Sequence, residues 1–175
     1  MDNLGSEIVD VIKYATKMEI NGRSFYEHAA ELTENKHGKE VFKKLAQDET
    51  GHINTFGEIF TGVLGDDKWK EYIDQEEMDK DTVLEQLKAR IAKQSHQDRA
   101  SDQEALRIGM ELERGSIDKY KEWAMKTEDV KIKEIFEKII IEEEYHYDLL
   151  QAEYDNITNT GFWFDMAEFR MDGKF

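Results

Sequence analysis

The sequence predicts an all-α protein: a four-helix bundle of two repeated helix hairpins joined by a long crossover connection. Three observations predict it. Four stretches carry apolar residues at alternating steps of three and four, the spacing that lines the inner face of a bundle helix. None of the 175 residues is proline, so no long helix has to be interrupted. The chain also repeats itself at an offset of 94 residues, which maps Glu19 onto Glu113, Tyr26 onto Tyr120, Ala30 onto Ala124, Glu40 onto Glu134 and Phe42 onto Phe136.

The first helix is predicted to be capped by Ser6, with a stripe of Ile8, Ile12, Ala15, Glu19, Gly22, Tyr26 and Ala29. It should fade at the polar stretch Glu34-Asn35-Lys36-His37-Gly38. A second stripe follows through Phe42, Leu45, Glu49, His52, Phe56, Ile59 and Val63, and Gly65 reads as its stop. Residues 64–100 form the connection, with a short aromatic piece (Trp69, Tyr72, Ile73) and a modest helix announced by Asp81-Thr82-Val83-Leu84-Glu85. Ser101-Asp102-Gln103-Glu104 offers a capping box for the third helix, whose stripe is Leu106, Gly109, Glu113, Ser116, Tyr120 and Trp123. Asp129 is placed to cap the fourth, which runs on Ile132, Ile135, Ile139, Glu143, His146 and Leu150. The hairpins thus span 6–63 and 101–154 within a bundle domain of residues 1–154. From Asp155 the pattern dissolves, and the aromatic tail 155–175 is predicted to dock on the bundle or on a partner subunit.

Glu49-Thr50-Gly51-His52 and Glu143-Glu144-Tyr145-His146 are the two copies of one motif, E-x-x-H. At i and i+3 a helix presents both side chains on one face. The motif alone is weak, and most single copies are surface charge. Here its Glu and His fall on core stripes, as do Glu19 and Glu113. Antiparallel geometry adds a check, because residues equidistant from a turn share one height. The midpoint of 19 and 49 is residue 34, and that of 113 and 143 is residue 128; both lie in predicted turns. Four buried glutamates and two histidines at one level need positive charge, since an unpaired buried carboxylate costs several kcal/mol. Two divalent cations balance the four carboxylates, and this donor set is the di-iron or di-manganese pattern of helical bundles. The predicted ligands are Glu19, Glu49, His52, Glu113, Glu143 and His146. Tyr26 and Tyr120, two turns after Glu19 and Glu113, are placed either as core residues or as hydrogen-bond donors to a ligand carboxylate. His28, His37 and His96 fall outside the set and read as solvated, and Glu111, Glu142 and Glu144 read as helix surface. Gly51, inside a helix, suggests close approach by a neighbouring helix.

Composition narrows the function classes. A net charge of −16 opposes binding to nucleic acid or anionic membranes and favours cations. The absence of cysteine excludes disulfides, thiolate metal sites and thiol catalysis in this chain. No apolar stretch approaches the ~18–20 residues that span a bilayer, and the N-terminus does not read as a signal peptide. A cytoplasmic protein is expected.

With these residues in place, the chain resembles the rubrerythrin-like branch of the ferritin-like superfamily. The resemblance rests on Met18-Glu19 through Phe25-Tyr26, Glu49-x-x-His52, Glu113 through Tyr120, and Glu142-Glu143-x-x-His146. It implies a ferritin-like bundle whose six ligands hold two iron ions, Glu49 and Glu143 bridging them, with manganese or zinc as alternative metals. It also implies an oxidoreductase that reacts with peroxide or oxygen or oxidises Fe(II). Two departures stand out. The cysteine-ligated rubredoxin domain of full-length rubrerythrins is missing here, so an external electron donor is required. Ser116 also stands where they carry an additional glutamate one turn after the third-helix ligand. A homodimer or small homo-oligomer is expected from the aromatic tail. The competing readings are a non-catalytic iron binding or storage protein, and a helical interaction module with a structural metal.

Overall fold

The computed structural model describes residues 3–64, 89 and 98–164. Four long helices account for nearly all of them: α1 (Asn3–Leu32), α2 (Lys36–Leu64), α3 (Asp98–Lys126) and α4 (Val130–Thr160). There is no strand among the described residues, and the all-α bundle is as predicted. α1 packs along α2 and α3 along α4, and the two hairpins meet through α1 with α3 and α2 with α4.

The short turns dictate antiparallel pairing within each hairpin. In the first, Asn35 Oδ1 accepts from the backbone N–H groups of His37 (2.9 Å) and Gly38 (3.2 Å) and so opens α2. In the second, Asp129 caps α4 by accepting from Lys131 N and Ile132 N. α1 and α3 also run antiparallel: Tyr26 reaches Glu113 while Tyr120 reaches Glu19. α2 and α3 therefore point the same way. The end of α2 and the start of α3 therefore lie at opposite ends of the bundle, a helix length of roughly 43 Å at about 1.5 Å per residue for the 29 residues of α2. The predicted crossover connection itself lies almost entirely outside the described residues.

Several boundaries differ from the sequence reading. α1 starts at Asn3 and α3 at Asp98, so Ser6 and Ser101 lie inside helices instead of capping them. Glu104 is buried, not a member of a capping box. Lys36, His37 and Gly38 form the first turn of α2. α4 continues past Asp155 to Thr160, because Ile157 extends its buried stripe, and it closes at Gly161 with a φ of 78°. Gly51 is exposed, with open space where a Cβ would stand, so no helix approaches it. The readings at Gly65, Trp69, Tyr72, Ile73, Asp81–Glu85 and His96 lie outside the described residues, as do residues 165–175 of the tail.

The core has two apolar halves, one at each end. Phe25, Tyr26, Phe42, Leu45, Leu106 and Leu150 belong to one. Ile12, Phe56, Phe60, Tyr120, Phe136 and Ile139 belong to the other. Tyr26 stacks on Phe42 with ring centroids 6.3 Å apart, and Tyr120 on Phe136 at 5.7 Å, so the 94-residue repeat is a structural repeat. Trp163 is buried on the first half: it meets Phe42 edge-on at 5.6 Å, and its Nε1 donates to Asp102 Oδ2 at 3.0 Å. Its ring lies where a Cβ on Gly38 would have to stand (2.6 Å), so only glycine fits there. Phe162 beside it is exposed.

Candidate metal centre

Between the two apolar halves sits a buried polar layer. α1 contributes Glu19, α2 Glu49 and His52, α3 Glu113, and α4 Glu143 and His146, each no more than 4 % exposed. All six residues singled out from the sequence meet here. Their ligand atoms form two groups, Glu19, Glu49, His52 and Glu143, and Glu49, Glu113, Glu143 and His146. Within each group the atoms lie within 4.8 Å of one another. Glu49 and Glu143 are common to both groups.

Both imidazoles point Nδ1 inward. His52 Nδ1 lies 2.9 Å from Glu19 Oε2 and 3.3 Å from Glu143 Oε1. His146 Nδ1 lies 3.0 Å from Glu143 Oε2 and 3.7 Å from Glu113 Oε1. The outward nitrogens meet carboxylates of the opposite hairpin: His52 Nε2 is 2.8 Å from Glu142 Oε2, and His146 Nε2 is 3.4 Å from Asp48 Oδ2. Glu142 is thus half-buried and engaged, not the free surface residue its sequence position suggested. Asp48 was not singled out at all. A signal for both exists, since Lys-x-x-x-acid-Glu-x-x-His recurs as Lys44–His52 and Lys138–His146. Lys44 pairs with Asp48, and Lys138 lies 3.8 Å from Glu142. His28 and His37 stand apart from the cluster but are half-buried, and His28 is 3.5 Å from Glu31.

The tyrosines cross between hairpins as well. Tyr26 donates to Glu113 Oε1 and Tyr120 to Glu19 Oε1, each reaching the carboxylate of the other half instead of the one on its own helix. On α1, Gly22 passes so close that an added Cβ would sit 3.0 Å from Glu49 Oε1, which leaves that carboxylate room.

The electrostatics follow from crowding acids out of water. Burial, then the Glu19 carboxylate, raises Glu49. Burial, then Glu143, raises Glu113. Burial alone would raise Glu143 too, but hydrogen bonds from His146 and His52 outweigh it and hold it low. Burial alone would lower His52, yet Glu142, Glu143, Glu19 and Glu49 together raise it. His146 is raised likewise by Asp48 and Glu143 against its burial. Burial and their carboxylate partners push both tyrosines up, so they stay protonated donors. A cluster of this kind binds protons because it lacks positive charge, and a divalent cation supplies that charge more compactly. Four carboxylates and two imidazoles, all buried and convergent, fit a pair of divalent ions.

The family model for Rubrerythrin matches residues 10–154, which contain all four helix cores and the whole cluster. The chain belongs to the rubrerythrin family. No curated protein and no solved structure matches it. Rubrerythrin membership identifies the bundle as ferritin-like and carries the expectation of a di-iron or other metal site, for which the cluster is the candidate. Among the described residues, no helix is long and apolar enough to cross a membrane.

Proposed function

We propose that this rubrerythrin-family protein binds two iron ions in the buried cluster and is an oxidoreductase reacting with peroxide or oxygen, or oxidising Fe(II). The observation that carries the reading is the pair of donor groups sharing Glu49 and Glu143. In this reading Glu49 and Glu143 would be the carboxylates available to both ions. Glu19 with His52 completes one coordination set, and Glu113 with His146 completes the other. When bound, the irons supply the redox chemistry. Nitrogen donors beside carboxylates suit iron or manganese better than magnesium or calcium.

The remaining roles belong to the chain. Tyr26 and Tyr120 orient Glu113 and Glu19 by donating to one oxygen of each, leaving the other oxygen for the metal. Asp48 and Glu142 hold the outward imidazole nitrogens, which fixes the ring orientation and keeps Nδ1 aimed at the cluster. The apolar halves above and below exclude bulk water. With no cysteine in the chain, the electrons come from an external donor.

The test is anaerobic loading with Fe(II), followed by single turnovers with hydrogen peroxide and with dioxygen, read by iron absorbance. Oxidation by either within seconds, at about two irons per chain, supports the enzyme. Loading far beyond two irons per chain identifies storage instead, and a loaded centre inert to both oxidants removes the oxidoreductase reading.

A further inference from the structure

In the first half of the core a line of aromatic rings leads to the cluster. Trp163 meets Phe42 edge-on, Phe42 stacks on Tyr26, and Tyr26 donates to Glu113. The second half repeats the inner members at the 94-residue offset: Phe136 stacks on Tyr120, and Tyr120 donates to Glu19. Beyond Phe136 stands a cavity of about 490 Å³, lined by Ile8, Val11 and Ile12 of α1, Trp123 of α3, and Ile132 and Phe136 of α4. Residues 126–129 of the α3–α4 turn give it a polar rim.

The repeat makes this cavity the counterpart of the Trp163 seat. Trp163 lies against Gly38, Phe42 and Asp102. At the 94-residue offset these three correspond to Ile132, Phe136 and Ile8, and all three line the cavity. The same offset carries Trp163 itself onto Trp69, so two of the chain's three tryptophans are repeat partners. Trp69 is outside the described residues, five positions beyond Leu64, the last residue of α2. α2 ends at the cavity's end of the bundle, because its Phe60 packs in the same apolar half as Ile12, Ile132 and Phe136. Five residues reach up to roughly 17 Å, and packed helix axes stand about 8–10 Å apart, so the distance can be spanned.

Size agrees with this occupant. An apolar cavity of about 150 Å³ accepts a benzene ring, so 490 Å³ has room for the two fused rings of an indole. The two seats differ in detail. Ile132 replaces Gly38, so a ring here cannot lie against the helix backbone as Trp163 does, and Ile8 cannot accept from an indole N–H as Asp102 does. Glu128 and Asp129 at the rim offer carboxylates instead. Trp123, where the first half has Ala29, lies 5.9 Å from Phe136 and walls the cavity without filling it. We infer that Trp69 of the same chain docks in this cavity, completing the second aromatic line and fastening the start of the connection to the end of the bundle.

The test is fluorine NMR of the full chain labelled with fluorotryptophan, with a soluble nitroxide as the probe of exposure. The three resonances are assigned from Trp69→Phe, Trp123→Phe and Trp163→Phe. In the wild type the Trp69 resonance should be broadened at least threefold less than free fluorotryptophan, and the protection should survive tenfold dilution. Trp69→Ala should raise the broadening of Trp123 at least twofold, since Trp123 walls the cavity. It should leave Trp163, in the other apolar half, unchanged. A Trp69 resonance as broadened as the free amino acid, no change at Trp123, or equal changes at Trp123 and Trp163 overturns the proposal. Protection lost on dilution assigns the cavity to a second copy of the chain and overturns it as well.

Discussion

In the first hairpin Lys44, Asp48, Glu49 and His52 share one side of α2; in the second, Lys138, Glu142, Glu143 and His146 do the same on α4. The correspondence extends to Glu19 with Glu113, and to Tyr26–Phe42 with Tyr120–Phe136. Away from the cluster it lapses. At the first turn, Trp163 occupies the space over Gly38; the repeat places Ile132 at the matching position, where a cavity of about 490 Å³ is lined by Ile8, Ile12 and Phe136. The buried Glu104 and Glu153 have Asp10 and Ile59 as counterparts. Packing tolerates such exchanges if volume is kept. A ring of charges that must cancel does not, because a displaced carboxylate leaves an uncompensated one behind. The repeat is therefore tightest where the two hairpins supply halves of one charge balance.

Breaking the shared elements should have the largest effect. Glu49→Ala or Glu143→Ala removes a carboxylate common to both donor groups and should abolish metal binding. Glu19→Ala or Glu113→Ala touches one group and should leave about one ion per chain, to the same extent in either hairpin. Metal analysis after reconstitution checks this, and unequal losses from Glu19→Ala and Glu113→Ala would show that the halves are not equivalent.

Smaller effects should follow at the supporting contacts. Tyr26→Phe and Tyr120→Phe each strip a buried carboxylate of its donor, for a loss in metal affinity of about 10–100-fold. Asp48→Asn and Glu142→Gln should cost about tenfold, since these acids are partly exposed and their pairing is softened by water. Competition against a chelator of known affinity measures all four. The comparison is sharpened if the members of each pair agree within a factor of three.

The smallest effect belongs to an acid whose counterpart in the repeat, Ile59, carries no charge. Glu153 is buried, accepts from Phe164 N at 2.9 Å through Oε2, and has no hydrogen-bond partner for Oε1. Burial pushes its carboxyl up to about 7. A group whose folded pKa is raised opposes folding increasingly as pH climbs above its ordinary value of ~4.3, and the cost levels off above the folded value. Glu153→Gln should accordingly change little at pH 4.5 and stabilise by about 1 kcal/mol at pH 8, part of the full linkage being lost to solvent. Urea unfolding at the two pH values reads the difference, and an equal effect at both would refute the linkage.

Much of this was legible in the sequence because two periods reinforce each other. Steps of three and four put Glu19, Glu49, Glu113 and Glu143 on inner faces, and distance from the turns set them at one height. The helix ends were less legible. The first turns at Asn3 and Asp98 precede the apolar stripes, so polar residues there look like caps or connection. Glu153 interrupts the stripe between Leu150 and Ile157, which made α4 seem to end early. Asp48 and Glu142 sit one residue beside the inner line. Their trace in the sequence is the recurring Lys-x-x-x-acid-Glu-x-x-His spacing, and the approach of the opposite histidine that gives it meaning crosses between hairpins. Gly51 lies on the outer face, where no packing demands it.

The central claim is that the cluster is a charge-balanced seat for two divalent ions, and a titration tests it most directly. Metal-free protein would be titrated anaerobically with Fe(II) at pH 7.5 and at pH 5, with bound iron and released protons followed together. The raised Glu49, Glu113, His52 and His146 hold protons that metal must displace. The account predicts two ions per chain at pH 7.5, protons released with each, and weaker binding at pH 5 where protons compete. One ion or none per chain, or binding without proton release and equally tight at both pH values, would contradict it.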